Sequence, residues 1–282
     1  MTSCWKVASF TSITVIVRIR YDTVDLAFDD SGTGTPVVLL HGLTATRRYV
    51  VSGSKALERS GHRVVAYDAR GHGASPAAPA GEGYDYATLA ADLRDLMDRL
   101  EIEHAVLAGA SMGSHTLLRF ALDHPDRALG LVVVTPAYDP DRFPSGLERW
   151  DALSAGLRTG GVDGFLAAYG EPNVPEGWKE TVSTVLRQRI SRSEDPEALA
   201  DALAQVPRSQ PFAAWSDLHA LDLPVTVVGD RDEADPEHPL AVAQRYAAEI
   251  PEARLVVEEE GKSPIAWSGG QLSKVIAEVA AQ

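Results

Sequence analysis

Ser111 stands in Gly109-Ala110-Ser111-Met112-Gly113, a G-x-S-x-G spacing. An apolar strand-like run at 105–108 precedes it, and a helical pattern at 116–122 follows. A serine between two glycines at a strand-to-helix junction is the setting of a nucleophile elbow. The turn is sharp, and larger side chains at Gly109 or Gly113 would clash within it. It lifts the serine hydroxyl above the sheet, and the new helix directs its first amides and positive dipole end at the same spot. The chemistry such a serine offers is acyl transfer. A hydroxyl is a poor nucleophile until a base takes its proton, so the base is the next residue to find.

The elements around the serine are those of an alternating α/β chain. Alternating residues at 13–19 and 23–28 predict an antiparallel pair at a sheet edge. Buried strands are predicted at 36–40, 63–67, 105–108, 130–135, 225–228 and 254–257. Helices are predicted at 47–59, 86–100, 240–250 and 271–280, besides the one after Ser111. Such alternation demands right-handed crossovers and a mainly parallel sheet. Between residues 137 and 218 no strand pattern occurs; helical stretches at 147–157, 178–190 and 197–206 alternate with Gly/Pro breaks. The reading is an α/β core over 13–136 and 219–282 with a helical cap inserted at 137–218.

Four motifs at strand ends resemble the α/β-hydrolase superfamily in this order: His41-Gly42, the run Asp68-x-Arg70-Gly71-His72-Gly73-x-Ser75, the serine elbow, and Gly229-Asp230-Arg231-Asp232. The similarity runs from about Val24 to the end of the chain. It implies that Ser111 is the nucleophile and that the backbone N–H groups of Leu43 and Met112 form an oxyanion hole. It implies an acid at Asp232, with Asp230 as the alternative. Serine at the elbow excludes the alkyl-ester chemistry of relatives that use a carboxylate there.

The chain departs from the family at the base. The family histidine follows the last strand, where this chain reads Glu259-Glu260-Gly261-Lys262-Ser263-Pro264, and no histidine occurs after His238. Ligands in open α/β sheets gather at the carboxyl ends of strands. His62, His104 and His219 precede strands at the opposite edge, and His124 closes the elbow helix. All four read as structural or surface residues. His41 and His72 fall in turn motifs where the imidazole braces loops. His115, one helical turn beyond Ser111, reads as a packed histidine beneath the elbow. His238 shares a loop with Asp232 and is the leading base. Lys262 is the alternative, in a Ser–Lys arrangement that needs burial to lower its pKa. Its acidic neighbours Glu258, Glu259 and Glu260 oppose that. A chain with no competent base is the third possibility.

Other features carry less chemistry. The run 258–260 reads as a solvated face rather than a metal site. Trp150, Trp178, Trp215, Phe165 and Tyr169 could line an acyl pocket, but read first as packing between cap and core; Trp267 could flank the pocket mouth. No dinucleotide fingerprint joins a strand to a helix, so no cofactor is implied, and no metal. A net charge of −14 argues against nucleic-acid and anionic-membrane partners. Cys4 is the single cysteine, which rules out a disulfide framework. Residues 1–12 read as a disordered extension without a secretory signal, and the expected location is cytoplasmic. The expected partner is a small acyl substrate or apolar ligand, bound by a monomer or homodimer. The functional expectation is a serine hydrolase acting on a carboxylic ester through an acyl-serine intermediate. The alternatives are an impaired pseudo-hydrolase that binds a small apolar ligand, and cofactor-free lyase or perhydrolase chemistry.

Overall fold

The computed structural model describes residues 24–231, 237–258 and 268–282. Among the described residues seven strands form one sheet: β1 (Phe28–Ser31), β2 (Thr35–Leu40), β3 (His62–Tyr67), β4 (Ala105–Ala110), β5 (Ala128–Val134), β6 (Val225–Gly229) and β7 (Arg254–Val257). Their order is β1-β3-β2-β4-β5-β6-β7. β1 runs antiparallel to β3 and every other pair is parallel. The strand that ends at the serine is thus at the centre, with Gly109 level with Leu40 on one side and Val133 on the other.

The helices are α1 (Ala56–Arg59), α2 (Tyr86–Arg99), α3 (Met112–Asp123), α4 (Leu147–Tyr169), α5 (Glu176–Ile190), α6 (Pro196–Gln205), α7 (Leu240–Glu249) and α8 (Gly269–Ala280). Alternate residues of each strand feed opposite faces, as the period of two requires. Val38, Leu40 and Leu107 pack towards α2, α3 and α7; Val37, Leu39, Val106 and Ala108 pack towards α8. Both faces are covered, which is why these strands read as unbroken apolar runs. The chain makes α4, α5 and α6 between β5 and β6, and no strand occurs there. Helix α4 folds back on itself at Gly161 (φ 57°, ψ −144°). Its two halves meet at Gly156 and Gly164, where a Cβ on Gly164 would stand 2.1 Å from the Gly156 carbonyl oxygen. Among the described residues no helix is long and apolar enough to cross a membrane.

Two sequence expectations are corrected. The predicted helix at 47–59 survives only as α1, because Ser52 and Gly53 take left-handed φ angles of 47° and 74° that interrupt it. The second edge strand begins at Phe28, not at residue 23. Val24 and Leu26 are buried, so their alternation reflects side-chain burial without a backbone ladder. The predicted strand at 13–19 lies outside the described residues.

Candidate active site

The elbow at Ser111 is built from three close approaches. Ser111 itself adopts φ 51° and ψ −114°, a conformation rare for a residue with a side chain. Its N–H donates to the Val134 carbonyl at 3.0 Å, which ties the turn to β5. A Cβ on Gly109 would lie 2.4 Å from Gly113 C, and one on Gly113 would lie 2.2 Å from the Leu40 carbonyl oxygen. The backbone of β2 cannot retreat without breaking the central ladder. Gly113→Ala is therefore expected to cost about 3 kcal/mol or more and to lower Tm by several degrees, read by a thermal melt. An unchanged Tm would show that the elbow is not held this tightly.

The loop after β2 runs beside the serine. A Cβ on Gly42 would be 3.5 Å from Ser111 Cβ. The next residue, Leu43, is buried, as is Met112 at the start of α3. Among the described residues neither the Leu43 nor the Met112 N–H has an acceptor. Two histidines brace this loop. His41 Nδ1–H donates to the Gly42 carbonyl at 2.8 Å, and its Nε2 accepts from Ala69 N–H at 2.9 Å. His72 lies with Nε2 2.7 Å from the Leu43 carbonyl and Nδ1 2.9 Å from that of Arg70. Neither ring is placed to serve Ser111, in line with the bracing role the sequence suggested.

His238 does reach the serine. Its Nε2 lies 2.9 Å from Ser111 Oγ, across 127 residues of sequence. The ring is half-buried and stands just before α7. Asp232 and Lys262, the candidate acid and the alternative base, lie outside the described residues, and so does Trp267. Asp230 is the first residue after β6. Glu258, at the end of β7, is 7 % exposed, which corrects its reading as part of a solvated face. Its Oε1 accepts the Arg231 N–H, and its backbone carbonyl accepts from Arg231 Nε at 3.2 Å.

His115 is the packed histidine the sequence suggested. Nε2 accepts from Ala137 N–H at 3.2 Å and from Tyr138 N–H at 3.1 Å. That leaves the proton on Nδ1, which lies 3.0 Å from Tyr86 Oη. Burial, helped by the nearby His238, lowers its pKa from 6.5 to about 3. Burial, helped by the neighbouring His72 ring, lowers that of His41 from 6.5 to about 3 as well. Both are neutral in the fold and take up protons only when it opens. Below about pH 6.5 the unfolded chain binds more protons, so stability is full above that value and declines as pH falls towards 3. The expected result is a Tm that drops between about pH 7.5 and 5.5, and a flat Tm would contradict the neutral assignments.

Tyr138, which the sequence reading passed over, joins several parts of the site. Its hydroxyl donates to the Phe212 carbonyl at 2.9 Å, and its own carbonyl accepts from Tyr246 Oη at 2.9 Å. The available signal was its place four residues beyond β5, at the carboxyl edge of the sheet. Trp215 packs on Phe212 and Tyr246, and Phe165 on Tyr169, as packing residues do. Trp150 is half-buried, and Trp178 is exposed. His62, His104 and His219 stand away from the serine edge, with His104 bonded to the Asp126 carbonyl and His219 to Glu249.

The family model for the alpha/beta hydrolase fold matches residues 35–268, which include the elbow, the loop after β2 and His238. The chain belongs to the α/β-hydrolase family. It is 32 % identical over 270 residues to the non-heme chloroperoxidase CPO-A1 of Kitasatospora aureofaciens, covering 90 % of this chain and 94 % of that one. A thermophilic esterase from Thermogutta terrifontis superposes with a TM-score of 0.70 at 28 % identity, covering 91 % of this α/β hydrolase and 90 % of the esterase. Over a shorter span of 119 residues it is 40 % identical to the sn-1-specific diacylglycerol lipase ABHD11 of Danio rerio, covering 42 % of this chain and 35 % of the lipase.

Proposed function

We propose that this α/β hydrolase is a serine hydrolase that cleaves a carboxylic ester through an acyl-serine intermediate, with His238 as its base. The 2.9 Å contact between His238 Nε2 and Ser111 Oγ carries the reading. That distance is within the reach a general base needs to take the serine proton. Ser111 Oγ attacks the ester carbonyl carbon as its proton passes to Nε2. The carbonyl oxygen becomes an oxyanion facing the N–H groups of Leu43 and Met112. The imidazolium then returns the proton to the departing alkoxide, and the alcohol leaves. Water repeats the sequence on the acyl-serine, releasing the acid and restoring Ser111. Asp232 is assigned to orient His238 through Nδ1, and the helices between β5 and β6 to cap the acyl pocket. Lys262 has no part in the cycle. The pseudo-hydrolase alternative drew its support from the missing histidine, and a histidine beside the serine removes that support.

The test is hydrolysis of short-chain p-nitrophenyl esters by the wild type beside Ser111→Ala. A rate that vanishes with the serine supports the reading; equal background rates for both, over a range of acyl lengths, reject it. A second reading, perhydrolysis, is favoured by the chloroperoxidase aligned over nine-tenths of the chain. Hydrogen peroxide would take the place of water on the acyl-serine, giving a peracid and free Ser111. Serine-dependent halide oxidation in acetate and peroxide would separate it from simple hydrolysis.

A further inference from the structure

We propose that the segment delivering His238 is clamped at both ends, and that the outer clamp, Arg149 with Glu237, makes the position of the base depend on helix α4. The inference rests on reading His238 as the base. The inner clamp is the buried Glu258, which accepts the Arg231 N–H on its carboxylate and the Arg231 side chain on its carbonyl. Arg231 is seven residues before His238 in the chain. A carboxylate buried just after β7 thus ties Arg231 to the sheet, and the tie cannot open without the buried oxygens losing their donors.

The outer clamp fixes the other end. Glu237, the residue before His238, lies 2.8 Å from Arg149 Nη1. Arg149 is in the first turn of α4, and its guanidinium sits 5.1 Å from the ring centroid of Tyr169, the last residue of α4. Tyr169 in turn stacks on the fully buried Phe165, at 6.3 Å between ring centroids. The fold-back of α4 therefore sets Arg149 against the Tyr169 ring before it meets Glu237, so less side-chain freedom is lost in forming the pair. Both partners are over 40 % exposed. Such a pair adds little to global stability and is screened by salt. Its effect falls instead on orientation, since small displacements of a catalytic group cost rate out of proportion. Arg149, Glu237 and Glu258 are positioning residues that act through the His238 ring.

The test measures kcat and KM for p-nitrophenyl acetate, with a thermal melt, in Arg149→Met, Glu237→Gln and the charge-swapped double variant Arg149→Glu/Glu237→Arg. The two single variants are expected to lose about threefold to tenfold in kcat, with KM and Tm little changed. The swap is expected to restore most of the loss, and wild-type kcat to fall with added salt while that of Arg149→Met does not. Glu258→Ala is expected to lose about tenfold in kcat, and Glu258→Gln, whose amide oxygen still accepts the Arg231 N–H, to keep most of it. Wild-type kcat in the single variants, or a swap no better than they are, overturns the clamp. Full activity in His238→Ala would overturn the reading of the base, and the clamp with it. An inactive His238→Ala beside wild-type kcat in Arg149→Met would overturn the clamp alone.

Discussion

His238→Ala is expected to lower kcat for p-nitrophenyl ester hydrolysis by about four to six orders of magnitude, and Ser111→Ala by a similar factor. The double variant should be no worse than either single one, because serine and base act as a unit. Of the histidines at the serine edge, His41 and His72 have ring nitrogens engaged with the backbone of the loops they brace. His115 has both nitrogens committed, one to Tyr86 and one to two backbone amides. Only His238 among them is seen at hydrogen-bond distance from Ser111 Oγ. Lys262→Ala is expected to change kcat by no more than about threefold, since the three glutamates that precede it in the sequence favour the charged form of a lysine, which is no base. Steady-state kinetics of the three single variants decide the matter. Equal, mild losses in His238→Ala and Lys262→Ala would sink the assignment.

The sequence made the scaffold legible because its signals were local. A strand buried on both faces has to be apolar throughout, and a serine on a tight turn has to be flanked by small residues. The runs ending at Leu40, Tyr67 and Ala110, and the Gly109 and Gly113 spacing, could be read directly for those reasons. The contact between His238 and Ser111 was harder to see. The two residues are 127 apart in the chain, and only the sheet order, which puts β6 two strands from β4, brings His238 within reach of the serine. Chain topology placed His238 at the correct edge but could not choose between it and Lys262. Burial of single polar residues was illegible altogether. Glu258 stands in a run of three glutamates that looks solvated, yet it is buried, with its oxygens used by the N–H and side chain of Arg231 just after β6. Tyr138 gave no periodic signal, since its contacts run to α3, α7 and the segment before β6, none of them near in sequence.

Asp92→Ala is expected to destabilise the protein by about 3–5 kcal/mol, lowering Tm by roughly 10 °C in a chain of this size. Asp92 on α2 and Arg70 after β3 form a two-pronged pair, Nε to Oδ2 and Nη2 to Oδ1, both at 2.7 Å. Their side chains are 8 % and 3 % exposed. Burial pushes the Asp92 carboxyl up against the pull of Arg70, while the carboxylates of Asp92 and Glu82 hold the Arg70 guanidinium charged against its own desolvation. Deleting the pair as a whole is accordingly expected to cost much less than deleting half of it. Arg70→Met with Asp92→Leu should recover most of the Tm lost by Asp92→Ala. In the single variant Arg70 keeps Glu82 at 2.7 Å and the Gly83 carbonyl at 3.1 Å, but its inward face is left without an acceptor. The consequence reaches the proposed oxyanion loop, because His72 spans the carbonyls of Arg70 and Leu43. A loosened Arg70 backbone frees the Leu43 peptide, whose N–H is assigned to the oxyanion. Asp92→Ala assayed well below its Tm should therefore lose kcat while KM holds, the signature of an interaction made mainly in the transition state. A variant that melts early but turns over at the wild-type rate would confine the pair to stability.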